Sequence, residues 1–127
     1  MDPGALVRNL FAGVNRPRDP NNLTDLERRH VPTVESPPAV RRGDCFPVTV
    51  EVGRTLRHPN ERGHFIEFID LYADEVLLAH VGLTAVNACP KATVTVSVTH
   101  GAAKLRAMAR CNLHGMWMGE SPITVLD

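Results

Sequence analysis

The sequence predicts an all-β protein, an antiparallel sandwich of about seven short strands, and three observations carry that prediction. Runs of β-branched residues alternate with polar ones at a period of two. Glycine and proline punctuate the gaps between these runs. No long helical pattern separates one run from the next.

The elements follow in chain order. Leu6, Leu10 and Phe11 lie at helical spacing within residues 5–13, enough for a short amphipathic helix or for nothing regular. Arg16-Pro17-Arg18-Asp19-Pro20-Asn21-Asn22 has the composition of a linker. Thr24-Asp25-Leu26-Glu27 has capping-box spacing and predicts one helical turn before His30. Val31-Pro32 forces extended backbone, and Pro37-Pro38 ends that piece. The strand runs begin at residue 45. Phe46 to Val52 alternates around Val48, Val50 and Val52, whereas Phe65 to Tyr72 is apolar on both faces, as a central strand should be. Val76 to Val81 is a further apolar run. Val94, Val96 and Val98 alternate with Thr95, Ser97 and Thr99. Leu105, Ala107 and Ala109 share a face with Cys111, while Lys104, Arg106 and Arg110 face the other way, and Ile123 to Leu126 closes the set.

A chain of 127 residues is read as one domain, with residues 1–25 as an N-terminal extension and 26–127 as the sandwich; it can form a core without disulfides. The formal net charge is zero and aromatic residues make up 5%, which argues against nucleic acid and against an anionic membrane as partners. Three cysteines without repeated spacing point to a reducing compartment rather than a disulfide framework. Asp2 stands where a secretory leader needs a base, and no apolar window reaches the ~18 residues of a membrane span, so a cytoplasmic protein is expected.

Chemistry concentrates in Cys111-Asn112-Leu113-His114-Gly115, followed by Trp117. A thiol and an imidazole at this spacing can reach one metal ion from the two ends of a tight turn, and Gly115 supplies the backbone freedom the turn needs. His30, His58, His64 and His114 all sit beside turn-forming residues, and His58 and His64 flank one loop, so that both could face one ion. His80 and His100 lie within strand runs and are left out of the site. Cys45 and Cys89 are expected to be small buried apolar residues, and Trp117 to pack beside the site.

Three separated motifs, His30-Val31-Pro32, His58-Pro59-Asn60 through His64-Phe65-Ile66, and Cys111 through Trp117, resemble those of the superoxide reductases. More narrowly, they resemble the one-iron neelaredoxin type and the iron domain of desulfoferrodoxin, over about residues 26 to 118. No Cys-x-x-Cys pair is present to build the second, rubredoxin-like iron site of desulfoferrodoxins. The resemblance implies an immunoglobulin-like sandwich holding one non-haem iron, with His30, His58, His64 and His114 as equatorial imidazoles and Cys111 as the axial thiolate. Imidazoles suit ferrous iron, and five protein ligands leave one octahedral position for substrate. The implied reaction is one-electron reduction of superoxide to hydrogen peroxide. The implied electron donor is rubredoxin or a similar carrier, and the implied assembly is a homo-oligomer, often a tetramer in one-iron relatives.

The family usually has Glu-Lys-His before Val-Pro, the lysine attracting superoxide and the glutamate binding ferric iron. Here Glu27-Arg28-Arg29-His30 puts Arg29 in the lysine position and displaces the acid by one residue, to Glu27. These two are the candidate catalytic residues. Residues 28–62 also hold seven arginines against four acids, a surplus that would steer an anion or an acidic carrier. Two rival readings remain open. One is a blue-copper electron carrier using His64, Cys111, His114 and Met118. The other is an immunoglobulin-like interaction module whose histidines are incidental.

Overall fold

Two antiparallel sheets face each other across the core. The computed structural model describes residues 11–102 and 104–127. Among the described residues one short helix, α1 (Asp25–His30), precedes nine strands: β1 (Thr33–Glu35), β2 (Ala39–Arg41), β3 (Cys45–Glu51), β4 (Ile66–Ala73), β5 (Val76–Gly82), β6 (Lys91–Ser97), β7 (Lys104–Cys111), β8 (Gly115–Pro122) and β9 (Thr124–Leu126). The first sheet has the order β1-β3-β6 and the second β5-β4-β7-β8, while β2 and β9 form a separate parallel pair. This is the all-β sandwich expected, with two more strands among the described residues than the seven counted from sequence.

Alternation builds the inner faces. On β3, Phe46, Val48 and Val50 are buried, and on β7 so are Leu105, Ala107, Ala109 and Cys111. They meet Ile66, Ile69 and Leu71 of β4 and Val96 of β6 in one apolar cluster. Each large aliphatic side chain so buried contributes roughly 1.5–3 kcal/mol relative to exposure. The expectation that β4 is central holds, since it lies between β5 and β7.

The outer face of the second sheet is also covered. Phe11, Tyr72, Met108 and Met118 form a second buried cluster, with the Phe11 and Tyr72 rings edge to face at 5.2 Å. Asn15 runs beside Trp117 and exchanges backbone hydrogen bonds with Met116 and Met118. Residues 5–13, read as a short helix or nothing regular, fall largely outside the described residues; residues 11–13 form a turn.

Two sequence expectations are corrected. Cys45 and Cys89 are exposed, not buried: Cys45 precedes the buried Phe46 on β3 and so takes the outward parity, and Cys89 lies in the loop between β5 and β6. His100 lies just past the end of β6 rather than within it; His80 is on β5, paired with Asp70.

Candidate metal centre

Three chain segments converge at one end of the sandwich. The helix α1 carries His30 at its C-terminus. Thr24 caps the other end, accepting from the Glu27 N–H at 3.2 Å, while the Glu27 carboxylate accepts from the Thr24 N–H at 2.9 Å. The irregular segment between β3 and β4 carries His58 and His64. The tight β7–β8 turn carries Cys111 and His114, closed by Gly115 at φ 80°, a left-handed conformation that glycine adopts without a steric penalty.

The side chains meet at one point. Ligand atoms of His30, His58, His64 and Cys111 all lie within 4.8 Å of one another. His114 joins them, its Nδ1 3.2 Å from His30 Nε2 and 3.6 Å from Cys111 Sγ. The four imidazoles form a closed circuit: ring centroids are 4.8 Å apart for His30–His58, 4.8 Å for His58–His64, 5.0 Å for His64–His114 and 4.9 Å for His114–His30. Cys111 Sγ lies 3.4 Å from His58 Nε2 and accepts from the His114 N–H at 3.4 Å. All five residues named as metal ligands from the sequence are thus brought together.

Protonation states suit the same purpose. His30 Nδ1–H donates to the Leu26 carbonyl at 2.7 Å, and His58 Nδ1–H donates to the Pro59 carbonyl at 2.6 Å. In both rings this leaves the Nε2 lone pair facing the cluster. Burial lowers the pKa of both imidazoles, that of His58 to about 4, so neither carries a proton that a metal must displace at neutral pH.

The set fits a metal ion. His64 Nε2 is buried with no hydrogen-bond partner, an orphan that a coordinated cation would satisfy. Two nitrogens ~2.1 Å from one ion and at right angles stand ~3 Å apart, close to the His30–His114 separation of 3.2 Å. Imidazoles and a thiolate together select a transition metal over calcium or magnesium.

The other sequence candidates lie around this centre. Arg29 donates to the Arg57 carbonyl at 2.8 Å and lines an open cleft with Arg57, His58 and Glu61. Glu27 is occupied elsewhere: its second carboxylate oxygen accepts from the Arg18 N–H at 2.9 Å, and these backbone donors, Thr24 first, hold its pKa below the usual value. Met118 belongs to the outer cluster with Tyr72 and Met108, on the face of the sheet away from Cys111, so the thioether that a blue-copper site requires is not with the thiolate. Trp117 packs as expected, stacked on His30.

Sequence reading missed the groups that tie the ligand loops down. Arg28 donates to the Thr55 carbonyl at 3.0 Å. Asn60 accepts from the Val86 N–H at 2.8 Å and donates to the Ala88 carbonyl at 3.2 Å. Asn112 makes similar bonds to Gly63 and Phe65. Asn60 and Asn112 stand inside the quoted motifs, and that placement was their only signal.

Known proteins resemble this chain in sequence and in fold. The Desulfoferrodoxin family profile matches residues 22–120. A Methanocaldococcus jannaschii protein, assigned provisionally by its name to superoxide reduction, is 37% identical over 116 residues, covering 89% of this chain and 95% of its own. The superoxide reductase of Pyrococcus abyssi is 34% identical over 101 residues, covering 72% and 84%. In three dimensions, the superoxide reductase (neelaredoxin) of Ignicoccus hospitalis superposes with a TM-score of 0.75 at 29% identity, covering 98% of this chain and 99% of that one. With its sandwich, its histidine circuit and its buried thiol, this chain belongs to the desulfoferrodoxin family.

Proposed function

We propose that this protein is a superoxide reductase, reducing superoxide with one electron and two protons to hydrogen peroxide. The observation that carries the reading is the convergence of four imidazoles and one buried thiol on a single point. His30, His58, His64, His114 and Cys111 would hold one iron, which when bound supplies the electron by passing from ferrous to ferric.

The chain's own groups do the rest. Cys111 is wholly buried, and the His114 N–H donates to its sulfur at 3.4 Å, which holds the sulfur on the side of the histidines. The Leu26 and Pro59 carbonyls hold His30 and His58 in the tautomer that presents Nε2. Arg29 and Arg57 on the open cleft supply positive charge where an anion would enter. The arginine surplus of residues 28–62 also suits an acidic one-electron donor of the rubredoxin kind. Among the described residues no helix is long and apolar enough to cross a membrane. A cytoplasmic homo-oligomer, tetrameric by analogy with one-iron relatives, completes the reading.

The test is metal analysis of protein isolated without added metals, followed by pulse-generated superoxide on the pre-reduced, anaerobic protein. One iron per chain and hydrogen peroxide without evolved oxygen are expected. Copper in place of iron, or no bound metal, would overturn the reading.

A further inference from the structure

We propose that Asn112 is the residue that aims His64 at the metal, a positioning role that couples the third imidazole to the Cys111–His114 turn. This role rests on the metal-binding function proposed for the five ligands.

The four histidines are not held alike. His30 and His58 each fix their own ring through an Nδ1–H bond to a backbone carbonyl. The His114 Nδ1 sits between His30 Nε2 and Cys111 Sγ, on a turn only three residues from the thiol. His64 has no comparable anchor. Its Nε2 is buried without a partner, no hydrogen bond to its ring is found among the described residues, and the ring packs against those of His58 and His114.

Its direction must therefore come from the backbone that carries it, and Asn112 clasps that backbone on both sides. The Asn112 side chain donates from Nδ2 to the Gly63 carbonyl at 2.9 Å and accepts at Oδ1 from the Phe65 N–H at 2.9 Å. Its own backbone N–H donates to the Phe65 carbonyl at 3.2 Å. Residues 63 and 65 are the two neighbours of His64, so one asparagine grips the chain before and after the ligand. The remaining backbone groups, those of His64 itself, pair with Glu61. Register reinforces the grip. Ile66 pairs with Cys111, and a register shift between Ile66 and Phe68 re-aims β4 where it leaves the loop. Asn112 follows Cys111 directly, so the thiol and His64 are tied to each other through one residue.

An amide suits the place because it offers one donor and one acceptor across the gap between a carbonyl and an N–H. Aspartate keeps the acceptor but sets a negative oxygen against the Gly63 carbonyl; alanine removes both bonds.

The test titrates cobalt(II) into the metal-free whole protein and reads both affinity and the visible d–d spectrum, which reports the ligand set. Asn112→Ala should weaken cobalt binding about 10- to 100-fold, the usual effect of losing a ligand's supporting partner, and shift the d–d bands towards those of His64→Ala. Asn112→Asp should fall between alanine and wild type. In a His64→Ala background, Asn112→Ala should change affinity less than about twofold, because a residue acting through His64 has nothing left to aim. An undiminished loss in that background would mean a general structural role and would overturn the inference. So would an Asn112→Ala protein with wild-type affinity and spectrum. If Asn112→Ala does not fold, Asn112→Asp takes its place in the same cycle, and the same two results would overturn the inference. A wild-type chain that binds no cobalt overturns the metal-binding function, and this inference falls with it.

Discussion

Trp117 lies flat on His30, with ring centroids 4.8 Å apart and planes 26° apart, and its indole N–H donates to the His114 carbonyl at 3.0 Å. One buried side chain thus touches residues from the first and last of the three ligand motifs, 84 positions apart. Trp117→Phe keeps the stack and loses the hydrogen bond, and should cost about 1 kcal/mol of stability. Trp117→Ala also leaves a cavity and should cost about 3–5 kcal/mol. Urea unfolding of the metal-free proteins measures both. Equal losses for the two variants would show that the indole N–H, rather than the stack, carries the contribution.

Acid should unfold the metal-free protein through its buried histidines. His58 has an ordinary pKa of 6.5 in the unfolded chain and about 4 when folded, because burial disfavours its charged form; His30 is lowered in the same direction. Between those values the unfolded chain binds more protons, so stability falls as pH falls. The contribution is fully present above about pH 6.5 and is lost progressively towards pH 4. The urea midpoint should therefore drop across this window, and His58→Ala should flatten the drop. A midpoint independent of pH from 7 to 4 would show that these imidazoles are not held neutral by the fold.

Gly119 sits where β8 passes the backbone just beyond His30. A Cβ there would lie 1.9 Å from the Pro32 carbonyl oxygen and 3.2 Å from a methyl of Val31. The main obstacle is backbone and cannot rotate away. Gly119→Ala should cost at least about 1–3 kcal/mol, as overpacking does, and should weaken metal binding by displacing the segment that follows His30. Gly82→Ala is the control, since nothing lies within 4 Å of its would-be Cβ. Matching melting temperatures for the two variants would rule out the close approach.

Which parts of this fold could be read beforehand follows from how many faces each strand buries. β3 buries one face, and β7 buries one face and, on the other, Met108, so Val48 and Val50, or Leu105, Ala107 and Ala109, stand out at period two. β8 was missed because it buries both: Trp117, Met118 and Gly119 are consecutive and all buried, Met118 beneath the Phe11 cluster and Gly119 against Pro32. β1 and β2 are three residues each, too short for any period to show. The five residues that converge at the candidate metal centre were legible because histidine and cysteine are rare and stood in recognisable order. The bonds of Arg28, Asn60 and Asn112 were not, because their partners lie 26 to 49 residues away and depend on how irregular loops cross.

Arg29 and Glu27, the two candidates where the chain leaves the family pattern, separate into different roles. Superoxide is an anion, and Arg29 lies half-buried on the cleft beside His58, its guanidinium on the Arg57 carbonyl. Arg29→Ala should slow the second-order reaction with superoxide several-fold at low ionic strength. It should also flatten the salt dependence, because added salt shortens the reach of the missing charge to about 10 Å at 0.1 M. Arg29→Lys should restore most of the rate, since the charge remains. Iron content should not change in either. Glu27 should act on folding alone. Both its carboxylate oxygens accept backbone N–H groups, from Thr24 and Arg18, which favours its ionised form and ties the helix that carries His30 to the segment before it. That stabilisation is present above the ordinary carboxylate range and is lost as pH falls through the lowered pKa. Glu27→Ala should therefore lower the melting temperature of the metal-free protein and leave the ferric spectrum as in wild type at every pH. A changed ferric spectrum with an unchanged melting temperature would return Glu27 to the metal. An Arg29→Ala protein reacting at the wild-type rate at low salt would remove the steering role.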